Sequence, residues 1–79
     1  MKREGRLVVA SPETEDGRLC VDIFRNAEGA YAWDEWRREP EDPSGWQATG
    51  RAGADTFDTQ QAARDDAFNS VEWLSRRRG

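Results

Sequence analysis

The segment from Asp58 to Ser75 constrains this chain more than any other, because its apolar residues recur at helical and not at strand spacing. At about 100° per residue, Ala63, Ala67, Ser70, Val71 and Leu74 fall within one arc, and Gln61, Asp65, Asp66, Asn69 and Glu72 fall opposite. This pattern predicts an amphipathic helix with Phe68 flanking the inner stripe and Trp73 toward the polar side. Asp58 and Gln61 have the spacing of a capping box, in which each side chain satisfies an orphan backbone N–H, and Phe57 stands where a hydrophobic staple would. At the other end, Arg76, Arg77 and Arg78 complement the negative end of the helix dipole, Glu72 and Arg76 form an i,i+4 pair, and Gly79 can stop the helix. Small alanines on the inner stripe allow close approach to a sheet, which must then supply most of the core.

The upstream residues read as that sheet. Arg6 to Ala10 is a short β-prone run ending at Ser11-Pro12, and the acidic stretch to Asp16-Gly17 closes in a turn that can return the chain as a hairpin. Leu19 to Arg25 alternates in the manner of a half-buried strand. Asn26-Ala27-Glu28-Gly29 suits a type I turn followed by a residue at positive φ, leading into a strand from Ala30 to about Arg38. Glu39 to Gly45, with Pro40 and Pro43, is a loop. Trp46 to Arg51 resumes as a strand in which Gly50 and Gly53 permit a bend or bulge. The expected fold is α+β: an antiparallel meander of three or four strands with one C-terminal helix packed on one face. Residues 1–79 form one domain, with 1–5 and 76–79 frayed.

Pairing Arg25 with Ala30 places Leu19, Val21 and Ile23 beside Trp36, Asp34 and Ala32, with Trp46 and Ala48 on the same face. The opposite face then carries Phe24, Tyr31, Trp33, Glu35, Arg37, Thr49 and Arg51. Asp34 is the misfit under the helix, and a one-residue shift would exchange the faces of the second hairpin strand. Because one helix cannot cover both faces, Phe24, Tyr31, Trp33, Arg37 and Arg51, with Trp73 at the adjoining edge, are the candidate interaction residues. Such a face can be satisfied by arginine–aromatic stacking within the chain, by a protein interface or by stacked bases.

Composition narrows the chemistry. A net charge of −4 argues against a general nucleic-acid binder, which usually carries a basic excess. No histidine is present, which removes the commonest general base and metal ligand together. Glu39-Glu41-Asp42 and Asp65-Asp66 read as solvated surface, and the arginine run at the C-terminus as a dipole complement. The single cysteine, Cys20, cannot form an intramolecular disulfide and reads as a small strand residue. With no signal peptide and no long apolar run, the expected location is cytoplasmic, with no membrane association. A chain of 79 residues buries a small core, and association with a second copy would add to it. The expectation is therefore a non-enzymatic protein–protein interaction module that self-associates, with no catalytic residue, cofactor, metal or small-molecule ligand. The alternatives are a regulator that inhibits a partner protein and a binder of single-stranded nucleic acid.

Two resemblances accompany these residues. The run Phe24 to Trp33 (F-R-N-A-E-G-A-Y-A-W), followed by a glycine-containing turn, a strand, Phe57 and a helix with Ala62-Ala63 and Ser70-Val71, resembles the YegP-type domain over roughly Leu19 to Val71. That small bacterial module of unknown function has three strands and a helix, and the resemblance implies a unit that occurs in tandem or pairs with a second copy. The passage Thr56-Phe57-Asp58-Thr59-Gln60-Gln61-Ala62 is also similar to the strand-to-helix passage of HicB-type antitoxins, which neutralise a small RNA-cleaving toxin.

Overall fold

The computed structural model describes residues 6–41 and 45–78. The expected frayed N-terminus at 1–5, residues 42–44 of the acidic loop and Gly79 lie outside the described residues. Four strands form one antiparallel sheet in sequential order: β1 (Leu7–Ala10), β2 (Leu19–Arg25), β3 (Tyr31–Arg38) and β4 (Trp46–Ala52). Two helices follow, α1 (Gln60–Ser70) and α2 (Glu72–Arg78), and α1 packs on β2 and β3. The α+β meander with a C-terminal helical segment on one face is the fold that the alternation and the helical stripe predict.

The turn between β2 and β3 decides which residues face the helices. Asn26 Oδ1 accepts from the backbone N–H groups of Glu28 and Ala30, Gly29 donates to the Asn26 carbonyl, and Gly29 sits at φ 88°. The expected turn chemistry is all there. Its length is not, because the Asn26 N–H also donates to the Ala30 carbonyl, which extends the ladder and leaves only Ala27-Glu28-Gly29 as a three-residue loop. Arg25 therefore pairs with Tyr31 and not with Ala30. That one-residue difference turns every side chain of β3 to the other face. Leu19, Val21 and Ile23 stand opposite Arg37, Glu35 and Trp33, and Cys20, Asp22 and Phe24 stand opposite Trp36, Asp34 and Ala32.

The helical stretch is divided. Thr59, and not Asp58, is the N-cap, its hydroxyl accepting from the Ala62 N–H at 3.1 Å. Val71 leaves the helical conformation at φ −104° and ψ 108°, while its N–H still donates to the Ala67 carbonyl and its carbonyl accepts from Leu74 and Ser75. Asn69, Ser70 and β-branched Val71 are weak helix formers in succession, which makes this the segment's least costly place to break. Val71 and Leu74 remain fully buried across the break. Phe68 joins Ala63 and Ala67 on the buried side, whereas Ser70, assigned to the inner stripe by its angle, is exposed. Together with Val21, Ile23 and Trp33 these residues make the core. Arg76 pairs with Glu72 as expected.

Candidate functional site

The residues expected to share an uncovered face do not share one. Trp33, 2% exposed, points under α1, where its indole N–H donates to Asp66 Oδ2 at 2.7 Å. Asp66, expected on the solvent face of the helix, therefore anchors the helix to the sheet. Gly53 belongs to the same contact: its N–H donates to the Trp33 carbonyl, and an added Cβ would lie 2.8 Å from the indole nitrogen. Tyr31 packs against the core and exchanges two backbone hydrogen bonds with Phe57. Phe24 lies on the other face with the Arg6 guanidinium 3.5 Å from its ring centre. Arginine–aromatic stacking is thus present, but among the described residues the cations are Arg6 on Phe24, Arg38 on Trp46 and Arg64 on Phe68, and not Arg37 or Arg51.

Arg37 and Arg51, expected on the uncovered face, lie instead with Trp73 on the helix side. A break at Val71 precedes the short α2, whose Trp73 indole N–H donates to Glu35 Oε2 at 2.7 Å. Glu35 is buried, its other oxygen accepting from the Thr49 hydroxyl at 2.7 Å, with Arg51 Nε 3.9 Å away. Opposite Glu35, the bulge around Gly50 (φ 91°) takes up extra β4 residues between the Trp36–Ala48 and Asp34–Ala52 pairs. A sequence reading with the other register exposes Glu35. No local signal marks its indole donor, because Trp73 is 38 residues away in the chain, whereas the neighbouring Trp33 and Trp36 donate to Asp66 and Asp34.

Where β2 begins and β3 ends, the helices leave the sheet uncovered, and a groove of about 810 Å³ opens. Half-buried Leu19 and its cross-strand neighbour Arg37 lie on this face, Trp73 forms one wall, and Glu39 and Pro40 form a rim. The opposite rim is the turn Thr14 to Arg18. This turn is well fixed: Thr14 and Leu19 exchange hydrogen bonds, Gly17 N–H donates to the Thr14 carbonyl, and Asp16 Oδ1 accepts from the Thr14 hydroxyl at 2.7 Å and from the Arg18 N–H at 3.1 Å. The Thr14 hydroxyl, more than the Arg18 N–H, holds the Asp16 carboxyl below the usual aspartate range. Arg37 is tied to Glu39 at 2.9 Å, and Arg38 Nε donates to the Gly17 carbonyl at 3.2 Å. Of the sequence-derived candidates, only Arg37 and Trp73 line this groove.

Among the described residues no group of three or more His, Cys, Asp or Glu side chains is arranged to hold a metal ion. No helix among them is long and apolar enough to cross a membrane. No protein-family model, no curated protein and no solved structure matches the chain.

Proposed function

We propose that this chain is a non-enzymatic protein-interaction module that associates with a second copy of itself through the groove beside Trp73. The observation that carries the reading is a preformed concavity in which half-buried Leu19 and Trp73 leave apolar surface open beside the packed contacts of the helices. The Trp73 ring is held in place by its bond to buried Glu35, so little side-chain freedom is lost when a partner docks against it. Aromatic side chains fixed in this way are the usual anchors of protein interfaces. The small core of a 79-residue chain gives added buried area a large relative value. In this reading the protein works in the cytoplasm, where its one cysteine, buried Cys20, stays reduced.

Sedimentation equilibrium over a wide concentration range tests the proposal. The wild-type protein should self-associate, and Leu19→Asp, which puts a charge on the groove floor, should weaken that association while leaving the folded spectrum intact. A wild-type protein that stays monomeric, with a Trp73 indole resonance unaffected by concentration, would contradict it.

A further inference from the structure

The mouth of the groove carries charges of both signs. Its lining holds Arg18, Arg37 and Arg38 against Glu15, Asp16 and Glu39, so this patch is neutral on a chain whose net charge of −4 otherwise repels its own kind. Four of the six are engaged within the chain: Arg37 with Glu39, Arg38 with the Gly17 carbonyl, and Asp16 with the Thr14 hydroxyl. Among the described residues the exposed side chains of Arg18 and Glu15 make no hydrogen bond or ion pair, the Arg18 charge acting on Asp16 of the same turn only at longer range. They have opposite signs and sit on one rigid turn. In a two-fold interface residue i of one copy meets residue j of the other, and j meets i, so a single turn carrying one cation and one anion is self-complementary.

We infer that two copies close the groove about a two-fold axis, with Arg18 of each copy paired to Glu15 of the other and the Leu19–Trp73 surfaces covered between them. This rests on the reading of the groove as a self-association site and adds its geometry. A standard-sized interface takes about 800 Å² from each partner, roughly 15% of the 5269 Å² exposed here, so such an interface would extend past the groove onto both of its rims.

Charge exchange is the test, read by sedimentation equilibrium at low salt. Arg18→Glu alone and Glu15→Arg alone each set like charges together twice in the dimer and should raise its dissociation constant about tenfold or more. An equimolar mixture of those two variants restores both opposite-charge contacts and should associate with nearly wild-type strength. The double variant Arg18→Glu/Glu15→Arg, with unchanged net charge, should do the same. Circular dichroism and an NMR fingerprint of each variant establish that it is folded. If wild-type protein associates but the single variants do so equally well, or the mixture shows no recovery, the two-fold geometry is overturned while self-association stands. A monomeric wild-type protein overturns both.

Discussion

On the helix-covered face of the sheet, Val21, Ile23 and Trp33 meet Ala63, Ala67, Phe68, Val71 and Leu74, and the polar links to the helices, Trp33 to Asp66 and Trp73 to buried Glu35, join the edges of that apolar cluster. On the other face, Asp22 and Asp34 stand directly opposite one another with Cys20, Phe24 and Trp36 around them, and all five are buried. Like charges directly across a strand pair are unfavourable, and burial makes them more so. The second face is stable because each carboxylate has donors. Arg6, its side chain 6% exposed, lies 3.0 Å from Asp34 Oδ2; the Trp36 indole donates to Asp34 Oδ1 at 2.8 Å; and the Ser11 hydroxyl donates to Asp22 at 2.7 Å. The first face is held by apolar area. The second depends on every polar partner being in place, so deletion of one group there should cost as much as a large cavity on the first.

The largest effect is expected from Asp34→Ala, which leaves the Arg6 guanidinium buried without its carboxylate and the Trp36 indole without its acceptor. The expected loss is about 3 to 5 kcal/mol in denaturant unfolding, reduced somewhat by relief of the opposition to Asp22. Leu74→Ala on the first face opens a cavity under α2 and should cost about 2 to 5 kcal/mol by the same measurement. If Asp34→Ala is mild while Leu74→Ala is severe, the two faces do not differ in the way described.

The helix start offers a sharper contrast. Thr59→Ala should cost about 1 kcal/mol, because it removes the hydroxyl that caps α1, whereas Asp58→Ala should be nearly neutral. Equal losses would restore Asp58 as a cap. The smallest effect concerns the groove turn. Asp16 has a folded-state pKa below its unfolded value, so its contribution is present above the unfolded pKa and is lost as pH falls through the lowered folded one. Carboxyl carbon shifts followed by NMR should show Asp16 titrating at lower pH than an ordinary aspartate, and Thr14→Val should move it back up.

The sheet, its order and the helical segment are legible in the sequence because alternation and the 3.6-residue stripe are averaged over many positions. What escapes it depends on single residues. Asn26 supplies the expected turn cap and also one more rung of the ladder, and composition cannot tell a four-residue connection from a three-residue one. That rung alone sends Trp33 inward and Asp34 outward from the helix. Asp58 and Thr59 are adjacent and equally able to cap, and only the geometry selects Thr59. Ser70 and Val71 satisfy the stripe by angle, yet the helix breaks at Val71, and α2 beyond the break carries the Trp73 indole that bonds Glu35. For the candidate site, Trp73 and Arg37 were identifiable as aromatic and cationic surface groups. Leu19, Arg18 and Glu15 were not, since their grouping with Trp73 arises from tertiary structure across more than fifty residues of chain.

The face assignment underlies both the core and the position of the groove, since it sets Arg37 and Leu19 on the helix side. It is tested most directly by the nuclear Overhauser contacts of the Trp33 indole N–H. Contacts to the β protons of Asp66, with slow exchange of the indole proton, are the result this structure requires. Contacts from the Trp33 ring to the Phe24 ring, with the indole open to a soluble quencher, would place Trp33 on the other face and contradict the account.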